Sequence, residues 1–231
     1  MPDDPCLRWA GEAALTIELG EGVDPSASDR ALALADAIEQ RSIAGVRDVV
    51  PTYRSTTVYF DPLVCDGEQL VGELVSLSKS IPSSRSGTSR TLDIPVRYGG
   101  ADGPDLDEIA RLTGKSPAEV VALHHSVIYR VYLIGFLPGF PYLGGVPPAI
   151  RVPRLAEPRK RVPAGSVAIA GQQAGVYPLE SPGGWRILGR TPRRLFDPAR
   201  PEPCLLAPGD RVRFVPIDDQ TYRRLSAHEA D

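Results

Sequence analysis

The chain has 231 residues, of which 42% are apolar and 24% are charged, and its formal net charge is −3. This length suffices for one large domain or two small ones, and the composition is that of an ordinary globular protein. No apolar run approaches the roughly 18 residues of a membrane-spanning helix, and the N-terminus lacks the basic and apolar regions of a signal peptide. The overall acidity argues against a nucleic-acid-binding protein.

The cysteines Cys6, Cys65 and Cys204 are far apart and form no CxxC pair or Cys/His cluster. Three cysteines at such spacings predict neither a disulfide framework nor a zinc site, so we expect no metal. Reduced thiols are typical of the cytoplasm, which is the expected location of the protein.

The first predicted elements follow the order ββαββα. Two short strands flank a turn at Gly11 and Glu12, and the helix "SDRALALADAIEQR" follows, with Ser28 or Asp29 as its N-cap. The stretches "VRDVVPTYR" and "TTVYFD" predict a hairpin in which Pro51 lies at a sheet edge or a bulge, and "DGEQLVGELVSLSKS" predicts a second helix. We therefore predict a small α+β sandwich with both helices on one face of an antiparallel sheet.

The small, polar segment from Ser78 to Arg90, "SKSIPSSRSGTSR", is typical of a linker. We therefore predict an N-terminal domain over residues 1–80, a linker over 81–90 and a C-terminal domain over 91–231.

The C-terminal domain is predicted to begin with a strand and two helices. Gly114 is expected to end the first of these helices, and Ser116 with Glu119 predicts a capping box at the start of the second. From Val127 onward, short strands separated by Pro and Gly predict a barrel or a sandwich, and a helix from 218 to 228 follows.

The stretch "YLIGFLPGFPYLGG" combines aromatic residues with glycines and prolines that break a helix or a central strand. We therefore predict a rigid, apolar loop that contacts the mouth of a barrel or a partner protein. Its candidate contact residues are Phe136, Pro138, Phe140, Pro141 and Tyr142.

Basic residues are concentrated between Gly135 and Arg194, where nine Arg or Lys and two acidic residues give +7 and leave −10 for the remainder. Such a concentration suits a small anionic ligand, a carboxylate or a phosphate. In "PRKRVPAGSVAIAGQQAGVYPLESPGGWRILGRTP", prolines and glycines indicate either stiff barrel corners or a preorganised ligand site. The candidate substrate-binding residues are Arg159, Arg161, Ser166, Gln173, Tyr177, Ser181 and Trp185.

No nucleophile elbow, zinc motif or close carboxylate pair identifies the catalytic residues, for which His124, Arg159 and Arg161 are the candidates. His124 and His125 point about 100° apart on a helix and cannot share a metal. One histidine either stabilises the helix end or orients or protonates a ligand. The "GKS" at 114–116 lacks the first glycine and the preceding strand of a phosphate-binding loop.

Three long segments carry a family resemblance: "YRVYLIGFLPGFPYLGGVP", the basic stretch quoted above and "LFDP…PGDRVRF". Together they resemble the family of 5-oxoprolinase B subunits over nearly the whole chain. That family is also known as allophanate hydrolase subunit 1 and includes KipI-type inhibitors of a histidine kinase. The resemblance implies a small α+β N-terminal domain and a cyclophilin-like β-barrel C-terminal domain.

The resemblance also implies a hetero-oligomer in which this chain, inactive alone, works with the C and A subunits to open 5-oxoproline to glutamate. ATP with Mg²⁺ would act at the level of the complex on a small anionic amide, and Arg159 or Arg161 would stabilise a phosphorylated intermediate. Two alternatives stay open, a KipI-like kinase inhibitor and a component of an allophanate- or urea-type amidohydrolase. A peptidyl-prolyl isomerase follows from the barrel alone, without a recognised isomerase sequence signature.

Overall fold

The computed structural model describes residues 6–82 and 89–229. The chain divides into two compact units, Met1–Thr88 and Ser89–Asp231. Of the predicted linker, residues 83–88 lie outside the described residues. The second predicted helix ends at Ser80, as expected, so the first three residues of the polar segment that begins at Ser78 are helical. Ser78 and Ser80 donate their hydroxyls to carbonyls three residues earlier, which lets these polar residues extend the last turn.

Unit 1 has the element order ββαββα, as predicted. Its four strands form one antiparallel sheet in the order β1-β2-β4-β3. The elements are β1 (Cys6–Trp9), β2 (Ala14–Glu18), α1 (Pro25–Arg41), β3 (Val46–Pro51), β4 (Ser55–Phe60) and α2 (Gly67–Ser80).

The core of unit 1 lies between the sheet and its two helices, where Leu15, Leu34 and Leu74 are fully buried. Helix α1 begins earlier than predicted, because Asp24 is its N-cap and accepts a hydrogen bond from the Ala27 backbone at 2.9 Å. Aspartate is as good an N-cap as serine, because its carboxylate accepts from a free backbone amide. Proline suits the first helical position, because the amide that it lacks would have no partner there. The placement of Pro51 on an edge strand is confirmed.

Unit 2 contains a closed barrel of seven strands in the order β10-β7-β6-β13-β5-β12-β9, and a separate pair, β8 with β11. All neighbours in the barrel are antiparallel except β5 and β13. The elements are β5 (Thr91–Tyr98), α3 (Leu106–Thr113), α4 (Pro117–His125), β6 (Ile128–Ile134), β7 (Pro141–Gly144), β8 (Arg159–Val162), β9 (Ser166–Ala170), β10 (Gln173–Val176), β11 (Ser181–Gly183), β12 (Arg186–Arg190), β13 (Arg211–Pro216) and α5 (Asp219–His228).

The barrel interior is apolar and receives buried side chains from all seven strands, together with residues of α3 and α4. Along β9, alternate side chains point to opposite faces, as strand geometry requires. Val167 and Ile169 belong to the interior core, whereas Ala168 and Ala170 belong to a second apolar cluster. That second cluster therefore covers the outer wall of the barrel.

One prediction for the barrel was wrong. The segment Tyr132–Gly145 was expected to contain no central strand, but β7 is part of the barrel wall and pairs with β6 on one side and β10 on the other. Pro141 is the first residue of β7, a position at which proline is compatible with a sheet. Gly144 is required because a Cβ there would lie 2.3 Å from the ring of Tyr132. Proline and glycine thus fit this strand locally while obscuring its pattern in the sequence.

The junction of α3 and α4 confirms the predicted capping box. The Ser116 hydroxyl accepts from the Glu119 backbone at 3.2 Å, and the Glu119 carboxylate accepts from the Ser116 backbone at 2.7 Å. Gly114 ends α3 in the left-handed conformation, with φ of 66°. The "GKS" residues therefore terminate one helix and begin the next. Among the helices of residues 6–82 and 89–229, none is long and apolar enough to cross a membrane.

Candidate functional site

Four aromatic rings form a cluster on the outer wall of the barrel, called the outer aromatic cluster here. The Phe140 ring centroid lies 5.1 Å from Tyr142, 5.2 Å from Tyr177 and 5.5 Å from Trp185, and Tyr142 lies 5.8 Å from Trp185. All four pairs are edge-to-face, the arrangement that aromatic quadrupoles favour. The structure thus brings together four aromatic residues that the sequence had placed in two separate candidate groups.

Small residues on the barrel wall allow these rings to pack closely. A Cβ at Gly175 of β10 would lie 2.8 Å from the Phe140 ring and 3.0 Å from the Trp185 ring. A Cβ at Gly183 of β11 would lie 2.3 Å from the Tyr177 hydroxyl. The glycines of this segment therefore provide room for aromatic rings, in addition to forming turns.

The two tyrosines of the cluster have altered acidity. Burial raises the pKa of Tyr177, while a hydrogen bond from the Trp185 backbone and the positive charge of Arg154 oppose that shift. Burial also raises the pKa of Tyr142, again against the charge of Arg154. Both hydroxyls therefore stay protonated at neutral pH.

Arg154 is the exposed cation that lies nearest to the Trp185 ring of this cluster. Its guanidinium carbon lies 5.7 Å from the Trp185 ring centroid, within cation–π range, and its side chain is exposed. Within residues 6–82 and 89–229, no carboxylate forms an ion pair with Arg154. An exposed arginine without a carboxylate partner among the described residues can bind the carboxylate of a ligand in a bidentate manner.

Arg159, a candidate for substrate binding and catalysis, is already paired. Its Nη2 donates to Asp105 at 2.6 Å, and the Asp105 side chain is only 7% exposed. The second carboxylate oxygen of Asp105 accepts from the Ile187 backbone at 2.7 Å. The Nη1 of Arg159 is buried and has no hydrogen-bond partner among the described residues. Arg159 flanks the cluster closely enough for its charge to act on Tyr177.

The other polar candidates lie apart from the four rings or make local contacts. Arg161 is 76% exposed and pairs with Glu180 at 2.6 Å. Ser166 donates to the Pro163 carbonyl at 2.8 Å, and Ser181 donates to that of Pro182 at 3.1 Å. Gln173 is half-buried at the start of β10.

Phe136 projects from a strained turn beside the cluster. It is 61% exposed, and its ring lies 5.5 Å from that of Phe140. The Leu137 backbone donates to the Gly135 carbonyl at 2.7 Å, closing a γ-turn in which Phe136 has φ of 64°. Pro138 is exposed in the same turn, whereas Pro141 is buried. Left-handed backbone at a bulky residue costs free energy, and such strained residues cluster at functional sites.

His124 is enclosed in the interior of the barrel. It is fully buried, its Nδ1 lies 2.8 Å from the Tyr98 hydroxyl, and its ring packs 4.7 Å from Phe214. Its Nε2 has no hydrogen-bond partner among the described residues. Burial, and secondarily the charge of His125, lowers the pKa of His124 to about 3.

This histidine predicts acid sensitivity of the fold. A folded-state pKa of about 3 against an ordinary 6.5 means that the unfolded chain binds the proton first. The contribution is therefore complete above pH 6.5 and is lost as pH falls toward 3, at about 1.4 kcal/mol per pH unit. In denaturant titrations between pH 7 and pH 5, His124→Gln should lose about 2 kcal/mol less stability than the wild type. An equal loss in both proteins would contradict this, and His125→Gln is the control.

The sequence did not single out Arg154 or Asp105. Arg154 lies between two prolines, in "VPRLAEP", and entered the sequence analysis only through the charge count. Asp105 precedes α3 and resembles an ordinary helix start. A contact between residues 54 positions apart, such as that of Arg159 with Asp105, leaves no local sequence pattern. Within the part of the chain described, no group of His, Cys, Asp and Glu could hold a metal ion.

Comparisons with known proteins identify the family of this chain. The family described as "Carboxyltransferase domain, subdomain C and D" matches residues 5–206. The chain is 38% identical to the B subunit of 5-oxoprolinase from Bacillus subtilis, over 94% of each chain. It is 45% identical to the B subunit of 5-oxoprolinase from Escherichia coli, over 89% of this chain and 93% of the relative.

Solved structures of related proteins show the same fold. The crystal structure of TTHA0988 superposes with a TM-score of 0.80 at 45% identity and covers 92% of this chain. This chain spans only 40% of TTHA0988. The Kluyveromyces lactis urea amidolyase shares the fold, with a TM-score of 0.80 at 20% identity over 99% of this chain and 16% of its own length. The chain therefore belongs to the carboxyltransferase subdomain C and D family and, within it, to the family of 5-oxoprolinase B subunits.

Proposed function

We propose that this chain is the B subunit of a 5-oxoprolinase, an ATP-dependent complex that opens 5-oxoproline to glutamate. Both curated relatives described above have the name of that component and match most of this chain. In this proposal the chain is inactive alone, and C-like and A-like subunits complete the enzyme. The barrel of unit 2 is taken to be cyclophilin-like, and residues 1–80 and 91–231 are taken to be separate domains.

The observation that carries the proposal is Arg154 beside the outer aromatic cluster. 5-Oxoproline is a small, flat lactam with one carboxylate. Phe140, Tyr177 and Trp185 are buried, so Tyr142, the half-buried ring of the cluster, would contact the lactam, and Arg154 provides a charged partner for the carboxylate. The ligand thereby satisfies both halves of the site, the apolar and the charged.

The remaining candidates take supporting roles in this proposal. Arg159 holds β8 against Asp105 and adds positive charge near the site, where it would stabilise negative charge that develops on the substrate. Arg161 is solvated and paired with Glu180, so we assign it no direct contact. ATP and Mg²⁺ are assigned to the complex and supply the activation of the amide.

The exposed turn at Phe136 is proposed to contact the C-like subunit. Exposed, rigid aromatic residues are frequent anchors of protein interfaces. This placement sets the interface next to the outer aromatic cluster, because Phe136 and Phe140 are in ring contact. A site completed by a neighbouring protein also explains why the chain would be inactive alone.

The same turn favours a second candidate function. A KipI-like inhibitor of a histidine kinase would use an exposed aromatic residue as a protein-binding anchor and would need no substrate. The kinship with urea amidolyase supports a third possibility, in which the small anionic amide is a urea derivative. Reconstitution with defined substrates separates these three functions.

The test is reconstitution of the complex. The chain is co-expressed with C-like and A-like subunits, and glutamate release from 5-oxoproline is measured with and without ATP. We expect ATP-dependent glutamate that disappears when this chain is omitted. A stable complex that releases no glutamate but hydrolyses allophanate would favour the urea-type alternative. Failure to form any complex would contradict the proposed role in 5-oxoprolinase and favour the kinase-inhibitor function.

A further inference from the structure

A pocket in unit 2 lies beneath α5 and shares no lining residue with the outer aromatic cluster. Its volume is about 540 Å³, within the range of small-molecule sites. Prolines, a leucine and two aromatic residues form the apolar part of the walls, and three arginines also line the pocket. The wall residues used below are Phe196 and Tyr222, and the arginines are Arg190, Arg193 and Arg194.

The two acids that line the pocket are already engaged. Glu229 accepts from the Arg193 side chain at 3.0 Å and from the Arg194 backbone at 3.2 Å. Asp197 accepts from the Arg194 side chain at 3.3 Å, and Arg200 lies 3.4 Å from the same carboxylate. Three lining arginines against two lining acids leave one positive charge, which falls on Arg190.

Arg190 is held in place by one hydrogen bond, and its remaining N–H groups are available to a ligand. It is the last residue of β12, and its Nε donates to the Ala164 carbonyl at 2.8 Å. Within residues 6–82 and 89–229, its terminal nitrogens have no carboxylate partner. The side chain is half-buried, so its guanidinium loses little freedom when it binds an anion.

The aromatic wall is also preordered. The Arg97 guanidinium stacks on Tyr222 at 4.0 Å from the ring centroid. Arg97 is in turn fixed by Asp102, at 2.6 Å from its Nε, and by Asp219 at 3.1 Å. Tyr222 therefore presents a fixed ring to the pocket, with Ser226 one helical turn further along α5.

We propose that this pocket is a second ligand site, which binds a small organic anion with a flat apolar body. The carboxylate or phosphate group meets Arg190, and the body packs against Phe196 and Tyr222. The site does not depend on the function proposed above, because neither Arg154 nor the outer aromatic cluster contributes to it.

Calorimetric titration of the full chain tests whether binding requires both the anionic group and the flat apolar body of the ligand. Benzoate and phenyl phosphate share a ring and differ in the anionic group, so they distinguish a carboxylate site from a phosphate site. Benzamide lacks the charge, and acetate and inorganic phosphate lack the ring. We expect saturable binding of benzoate or phenyl phosphate, at least about tenfold tighter than any of the three controls. No saturable binding up to about 10 mM, or equal binding of the controls, overturns the proposal.

Two variants locate the binding. Arg190→Gln removes the charge, and Ser226→Phe fills the pocket from α5 and leaves Arg190 unchanged. Each should weaken binding at least about tenfold with an unchanged circular dichroism spectrum. Arg161→Gln, at an exposed arginine that is already paired with Glu180, should leave the affinity unchanged. Binding that survives both pocket variants, or that is lost in Arg161→Gln, overturns the assignment to this pocket.

Discussion

Replacing Arg154 by glutamine should lower kcat/KM of the reconstituted complex for 5-oxoproline by about a hundredfold, through KM more than kcat. The reason is that Arg154 stands beside Trp185 without a carboxylate partner among the described residues, so the substrate carboxylate would supply it. A charge-assisted bidentate contact made in both ground and transition states chiefly changes binding. Steady-state kinetics with the purified complex measures this effect.

The matched control is Arg161→Gln, which removes an arginine of the same basic segment. Arg161 is solvent-exposed and already paired with Glu180, so kcat/KM should change less than about twofold. Arg154→Lys keeps the charge but loses the bidentate geometry, and an intermediate KM is expected. A full effect of Arg161→Gln with no effect of Arg154→Gln would reverse the assignment of the two arginines.

Replacing Asp105 by alanine should destabilise unit 2 by about 3 kcal/mol or more. Asp105 is almost completely buried and accepts two hydrogen bonds, one from Arg159 at 2.6 Å and one from the Ile187 backbone at 2.7 Å. Its removal leaves a partly buried guanidinium and a buried amide without partners, and each carries a desolvation penalty. Denaturant unfolding followed by circular dichroism measures the loss.

Further variants separate the charge of Asp105 from its hydrogen bonds. Asp105→Asn keeps an acceptor for Ile187 but removes the negative charge, so it should cost less than alanine. Adding Arg159→Met to Asp105→Asn should restore part of the stability, because the unpaired charge is then absent. Asp93→Asn breaks the exposed pair with Arg213 and should cost less than about 1 kcal/mol. Equal losses in Asp105→Ala and Asp93→Asn would contradict a structural role for the buried pair.

Much of the fold could be predicted because it depends on local chemistry. The ββαββα order of unit 1, the capping box of Ser116 and Glu119 and the helix at 219–228 follow from residues only a few positions apart. The same holds for the short strands of the barrel, which proline and glycine separate. The start of α1 was missed by a few residues, because several nearby polar side chains are suitable N-caps.

Strand β7 was not predicted because the structural effect of a proline or a glycine depends on its position within a sheet. Pro141 is acceptable as a first strand residue, and Gly144 accommodates the Tyr132 ring. Neither reason is visible until the neighbouring strand is in place, so the sequence alone indicated a loop.

The sequence by itself determined the family, the composition of the site region and the positive charge of that region. Only the tertiary structure decided which arginines lack a carboxylate partner among the described residues, because partners such as Asp105 lie far from Arg159 along the chain. It likewise decided that His124 faces the barrel interior and that four aromatic residues converge on the outer wall. The physical reason is that burial and ion pairing depend on contacts between distant segments, whereas capping, turn formation and helix periodicity depend on adjacent residues.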